Sequence, residues 1–274
     1  MSAMKFGICN ETFGDWPLAR GFQYAKDAGY TGIEIAPFTM ASSAYDITPA
    51  QREETRRAAE DCGLTVIGLH WLLAKTEGFY LTTPDDEVRN RTSDYFAELA
   101  RLCRDLGGTI MVLGSPQQRN LLPGVTEAEA MRLAADCLRR AMPTLEECGV
   151  TLALEPLGPA EGDFLLTAEK GLELREMIGS PNCQLHLDVK AMSSESKPIP
   201  QIIRDSVPHI AHFHANDANK LGPGMGDIDF HPIFAALKEV NYDGWVSVEV
   251  FDYTPGLEKL CEGSLAYMKS CLGE

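Results

Sequence analysis

From residue 5 to residue 251 the chain repeats one alternation: a short apolar run, then a longer stretch with apolar residues three and four apart. The short runs are KFGICN (5–10), TGIEIAP (31–37), TVIGLHW (65–71), TIMVLGS (109–115), TLALEPL (151–157), CQLHLDV (183–189), IAHFHAN (210–216) and WVSVEVF (245–251). Their length and near-continuous apolarity predict strands covered on both faces, as in a parallel sheet. Between them, segments such as YFAELARLCRDLGG and AMRLAADCLRRAMPTLEECG have helical period, and Gly29, Gly63, Gly107 and Gly149 stand where helices end. Eight strands alternating with eight helices predict one (β/α)8 barrel, a TIM barrel, as a single domain over residues 1–274. A doubly wound open sheet would normally carry a Gly-rich phosphate loop after its first strand, and CNETFGDW is not one. The long irregular pieces, 37–48, 72–84, 115–125 and 190–198, all follow strands, which places them at the C-terminal rim where barrel active sites are built.

Composition narrows the partners. With 40 acidic against 24 basic side chains the net charge is −16, a field that repels phosphate backbones and anionic membranes. Neither nucleic acid nor a membrane is therefore expected as a partner. The eight cysteines form no CxxC pair and several sit inside apolar runs, so they read as reduced, buried thiols. MSAMKFGICN has no apolar targeting core, and no stretch approaches the length of a membrane span. A cytoplasmic location is the expectation.

Chemistry enters at the strand ends. Glu155 closes TLALE, Asp188 closes CQLHLD, His214 closes IAHFH and Glu249 closes VSVE, on strands five to eight. Neighbouring strands lie about 4.8 Å apart, so four consecutive ends can surround one point. One such acid is commonly a helix cap or half of a salt bridge, and a lone strand histidine is commonly a bonded core residue. Four in register on successive strands point instead to a shared metal site. Three carboxylates and an imidazole suit one divalent ion per chain, manganese first, with magnesium, cobalt, iron or zinc as alternatives. Without a cation, carboxylates this close repel one another or take up protons.

The segments LALEPLG, HLDVKAM, HFHANDANKLGPGMGDIDF and VSVEVF resemble those of xylose isomerase-like barrels in the sugar phosphate isomerase/epimerase superfamily. The motif spacing is most similar to the ketose 3-epimerases of the tagatose/psicose type. That resemblance implies metal ligation by Glu155, Asp188, His214 and Glu249, with Glu155 and Glu249 doubling as the catalytic acid/base pair. It implies substrate binding by Glu161, six residues after Glu155, and by Lys220, at a place where the epimerases carry arginine. Asp217 matches an acidic place three after His214. The histidine that the epimerases have three residues after the strand-six aspartate is here Ala191, with Lys190 beside it.

The implied reaction is removal of a proton next to a metal-chelated carbonyl of a small carbohydrate, then its return to the opposite face. Return to the neighbouring carbon gives an isomerase instead. Loss of a β-hydroxyl gives a dehydratase or lyase on a keto-sugar or keto-cyclitol. An AP-endonuclease-like nuclease shares the architecture but needs more strand-end histidines and a basic face. Asn10, Glu34 and His70, ending strands one to three, are candidates to bind substrate, as is Lys190. Trp16 and Trp71 could stack on a sugar face. His186 and His212 share parity with Asp188 and His214 and are expected one layer below the ligands as support, with Asp217; His209 precedes its strand. A homodimer or homotetramer is the expected assembly.

Overall fold

The apolar runs pair in chain order and close on themselves. In a computed structural model that describes residues 4–273, the strands are β1 (Lys5–Cys9), β2 (Gly32–Ile35), β3 (Thr65–Leu69), β4 (Ile110–Leu113), β5 (Thr151–Leu154), β6 (Cys183–Asp188), β7 (Ile210–Ala215) and β8 (Trp245–Val248). All are parallel, each pairs with its successor, and β8 pairs back with β1. This is the expected (β/α)8 barrel. The expected strands overrun the observed C-terminal ends by one to three residues. The physical reason is that rim residues just past the ladder, such as Leu157 and Val250, are buried under loops, so apolarity continues after strand pairing has stopped.

The surrounding helices are α1 (Leu18–Ala28), α2 (Pro49–Asp61), α3 (Asp86–Asp105), α4 (Glu127–Cys148), α5 (Ala168–Ile178), α7 (Ile199–Asp205), α8 (His231–Glu239) and α9 (Ser264–Leu272). Side-chain caps start several of them. Thr48 and Gln51 form a capping box on α2, Asp85 accepts from Glu87 and Val88 on α3, and Thr126 accepts from Glu129 on α4. Gly29 and Gly149 end α1 and α4 in the left-handed conformation that glycine adopts without penalty. One element departs from strict alternation: the stretch expected to be irregular after strand six opens with a single turn, α6 (Val189–Met192). Its cause is local, since Oδ1 of Asp188 accepts from the backbone N–H of Ala191 at 2.7 Å.

Register decides what meets what. Asp188 and His214 are direct partners across β6 and β7, as are His186 and His212 one layer down. Cys9 of β1 stands opposite Glu34 of β2. The polar strand residues therefore converge on the barrel interior, while Leu, Ile, Val and Phe fill the shell between sheet and helices. No described helix is long and apolar enough to cross a membrane.

Candidate active site

Glu155 is the first residue past β5, and two features of β4 make room for it. A Cβ on Gly114 would collide with the Glu155 carboxylate, so any larger residue there would push the carboxylate out of its present position. Arg119, 1 % exposed, donates from Nη1 to the Leu113 carbonyl at 3.1 Å and from Nη2 to the Glu155 carbonyl at 2.7 Å. Its buried guanidinium thus clamps the ends of β4 and β5 together. Burial lowers its pKa to about 10, against the pull of Glu155 and Glu161.

Potential ligand atoms of Glu155, His186, Asp188 and His214 lie within 4.8 Å of one another. Glu249 joins this group through His214, whose Nδ1 is 3.1 Å from Glu249 Oε2. Asp188 is further held by Asn216, which donates from Nδ2 to Oδ2 at 2.6 Å. His186, expected a layer below the ligands, instead reaches the group: its Nε2 is 3.8 Å from Glu155 Oε1. Neither of its ring nitrogens has a hydrogen-bond partner although the ring is fully buried.

Beneath this group lies a buried support. Glu34, expected to bind substrate, is turned into the barrel. Its Oε1 pairs with His212 Nε2 at 2.6 Å, and both its oxygens stand 3.2 Å from His214 Nε2. The cause of this placement is geometric: β2 presents Glu34 below the cavity, where the imidazoles of His70, His212 and His214 and the Cys9 thiol surround it. Burial raises the Glu34 pKa, but His212 and His214 outweigh it and hold the carboxyl well below its usual range. His212 lies beneath the group, fully buried against Glu34. His209 is half-buried and outside the group.

The electrostatics of the upper group fit a divalent cation. Burial first, then Glu249 and Asp188, push the Glu155 carboxyl well above the carboxylate range. Burial also raises Asp188, with Lys190 opposing. Burial would raise Glu249 too, but His214 and the Trp71 N–H lower it. Strained carboxylates beside an imidazole with no partner form an oxygen-rich donor set with nitrogen available, which a +2 charge would relieve. Glu155, Asp188, His214 and Glu249, with His186 adjoining, are the residues that could hold it.

Glu155 and Glu249 both line a cavity of about 320 Å3 at the rim, together with His70, Trp71, Glu161 and Phe251. His70 Nε2 pairs with Glu11 Oε2 at 2.7 Å. Lys190 Nζ is 2.6 Å from Glu161 Oε2 and 4.7 Å from the Phe251 ring centre, so these two substrate-binding candidates form one unit. Asn10 ties strand ends together: its Oδ1 accepts from Ala36 N–H at 2.8 Å and its Nδ2 donates to Thr39 at 2.9 Å. Lys220 is not brought to the cavity. It is exposed, and its carbonyl accepts from Phe251 at 2.9 Å. Asp217 is buried in the same loop, where its Oδ2 accepts from Ile228 N–H at 3.1 Å. Trp16 lies in a neighbouring cavity, while Trp71 lines both.

Sequence reasoning missed Glu11, Cys9, Asn216 and Arg119. The first had a usable signal, an acid immediately after the first strand. Nothing in the residue pattern marks Arg119, whose partners are backbone carbonyls, of Leu113 at the end of β4 and of Glu155 past β5.

With this geometry in view, residues 22–271 match the model of a family described as xylose isomerase-like TIM barrel. The chain belongs to that family. Among relatives of this xylose isomerase-like barrel, D-psicose 3-epimerase of Enterocloster bolteae is 34 % identical over 92 % of the chain and 83 % of its own length. The 3-dehydro-D-guloside 4-epimerase of Escherichia coli is 23 % identical over 98 % of the chain and its own full length. A crystal structure of D-psicose 3-epimerase in the presence of D-fructose superposes with a TM-score of 0.86 over 99 % of this chain and 100 % of that one, at 22 % identity.

Proposed function

We propose that the chain is a divalent-metal-dependent epimerase of keto-sugars, acting by proton removal next to the carbonyl. The observation that carries this reading is that Glu155 and Glu249, from β5 and β8, line one cavity while His214 stands next to Glu249 among the candidate ligands. Inverting a carbon needs one carboxylate to take a proton from one face and another acid to return one to the opposite face. Two carboxylates reached from separate strands meet that requirement; a single acid does not.

Glu155, Asp188, His214 and Glu249 would hold the ion, and a manganese-like cation there would polarise the substrate carbonyl and stabilise the enolate. The chain's own residues do the rest. Glu249 is oriented by Trp71 Nε1 on one oxygen and His214 Nδ1 on the other, which fixes it for proton transfer. Glu155 is fixed through its main chain by Arg119 and through the space left by Gly114. Glu161, Lys190 and His70 supply hydrogen-bonding groups for the sugar hydroxyls, and Trp71 and Phe251 exclude water from the wall between them. The names of the relatives, epimerases of a ketose and of a keto-glycoside, support a carbonyl-bearing sugar as substrate.

The test is a panel of ketoses and keto-sugars incubated with metal-loaded protein in D2O and followed by NMR. Deuterium at the carbon next to the carbonyl with inverted configuration is the expected result. Aldose formation would make the chain an isomerase, and an unsaturated or deoxy product a dehydratase. Absence of exchange with every sugar would remove the proposal.

A further inference from the structure

Of the two imidazoles beside Glu155 and Asp188, only His186 has both nitrogens uncommitted. Its ring is fully buried, and among the described residues neither Nδ1 nor Nε2 finds a hydrogen-bond partner. His214 is engaged at both ends: Nε2 stands 3.2 Å from each oxygen of Glu34, and Nδ1 stands 3.1 Å from Glu249 Oε2. A neutral imidazole carries one N–H and one lone pair, and leaving both unpaired inside a protein is costly. Buried polar atoms are nearly always satisfied, so an orphan of this kind points to a missing partner.

The surroundings say what that partner is. His186 Nε2 is 3.8 Å from Glu155 Oε1, too far for a hydrogen bond. Two atoms bound to one divalent ion are separated by at most the sum of their bonds, about 4.2 Å for nitrogen and oxygen on zinc. The pair thus has the spacing of co-ligands. Potential donor atoms of both imidazoles lie within 4.8 Å of those of Glu155 and Asp188, and the two rings meet edge to face with centres 4.2 Å apart. A water molecule could occupy the orphan lone pair but would leave the carboxylates of Glu155 and Asp188 repelling each other. A cation relieves both. The strand also shows why His186 reaches so high: the register of β6 against β7 shifts between Leu185 and His186, an irregularity of the kind that re-aims a side chain.

Resting on the metal-dependent reading above, we infer that His186 is itself a ligand of the ion, which then has two imidazoles, His186 and His214, beside its carboxylates. Strand β6 supplies two of the donors, since His186 and Asp188 are two residues apart and share a face. The consequence is a choice of metal. Carboxylates with one imidazole accept magnesium or manganese, whereas a second nitrogen favours zinc, iron(II) or cobalt and disfavours magnesium.

The test counts nitrogens before it asks for turnover. Pulsed EPR of the full chain loaded with Mn2+ should show two directly bound imidazole nitrogens. His186→Gln and His186→Leu should each show one, while His209→Gln, outside the group, keeps two. Titration calorimetry with Co2+ and Mg2+ gives a second readout. Replacing His186 should weaken Co2+ by about a hundredfold, the upper end of what losing a ligand's hydrogen-bond partner costs, and Mg2+ far less. Circular dichroism of the metal-free variants checks their fold, and the count in the native protein stands even if neither folds. A single nitrogen in the native protein, or two that persist in a folded variant, overturns the assignment, while deuterium exchange on ketoses by the same sample leaves the epimerase reading standing. Two nitrogens with no exchange on any keto-sugar uphold His186 and remove the reaction. Failure to bind any divalent ion removes both.

Discussion

The indole Nε1 of Trp71 donates to Oε1 of Glu249 at 2.6 Å, joining the loop after β3 to the carboxylate past the end of β8. The other oxygen of Glu249 faces His214. One side chain thus connects a cavity wall, a candidate base and a candidate metal ligand. Trp71→Phe keeps the ring and removes the donor. A hydrogen bond to a charged group contributes about 1.5–3 kcal/mol, so kcat should fall about ten- to hundredfold with a smaller change in KM. Steady-state kinetics on a sugar identified by the D2O panel checks this, and an unchanged kcat would mean that Glu249 needs no such orientation.

Glu155→Gln and Glu249→Gln should each abolish deuterium exchange while leaving the far-UV circular dichroism unchanged. The amides are nearly isosteric but can neither accept the proton nor return it. Either variant retaining more than a few per cent of exchange would exclude that residue from the acid/base pair.

Metal analysis should find about one divalent ion per chain, and chelation should stop turnover and lower Tm. Saturation at a hundred times Kd contributes about 2.7 kcal/mol. The pH dependence follows from Glu155, whose carboxyl is pushed above the ordinary range in the metal-free protein. A raised carboxyl pKa favours the metal-free fold at low pH, and that contribution is lost as pH rises through the raised value. Loading must displace the proton, so metal affinity and the Tm gain should both increase with pH across the acidic range. Titration calorimetry in buffers of different ionisation enthalpy would report the released proton; affinity flat with pH would contradict the assignment.

Lys190 and Glu161 form a 2.6 Å ion pair at the cavity, with the Lys190 side chain 11 % exposed. Lys190→Met leaves Glu161, which lines the cavity, without its partner. KM should rise on the order of tenfold, since a lost charged hydrogen bond costs about 1.5–3 kcal/mol. An equal loss in a Glu161→Gln variant, with no further loss in the double variant, would show that the pair acts as a unit. Independent, additive losses would show that it does not.

Arg119→Met tests the clamp between β4 and β5. The Glu155 carbonyl loses its donor, while the Leu113 carbonyl keeps the Glu155 N–H at 3.1 Å, a cost of about 2 kcal/mol, or roughly 4–8 °C in Tm for a chain of this size. Because one of those carbonyls belongs to Glu155, kcat should fall as well. A thermal shift without loss of kcat would confine Arg119 to stability.

The barrel was legible because its signal is repetitive: short two-face-buried strands alternate with amphipathic helices from Lys5 to Val248. Local chemistry set the helix ends, at Thr48, Asp85, Gly29 and Gly149. The strand-end series Glu155, Asp188, His214 and Glu249 could be read because strand order and chain order coincide in a closed barrel, making residues on successive strands spatial neighbours.

What the sequence by itself determined was therefore which residues stand at the C-terminal rim. Only the tertiary structure decided how deep each one lies and what it faces. Glu34 and His70 both stand at strand ends, yet Glu34 is turned under His214 while His70 opens on the cavity. His186 rises to the ligands, and Lys220 points to solvent. Strand tilt, register shifts within β2–β3 and β6–β7, and the paths of loops from distant strands set those depths. They are sums over contacts between residues far apart in the chain, and no local pattern encodes them.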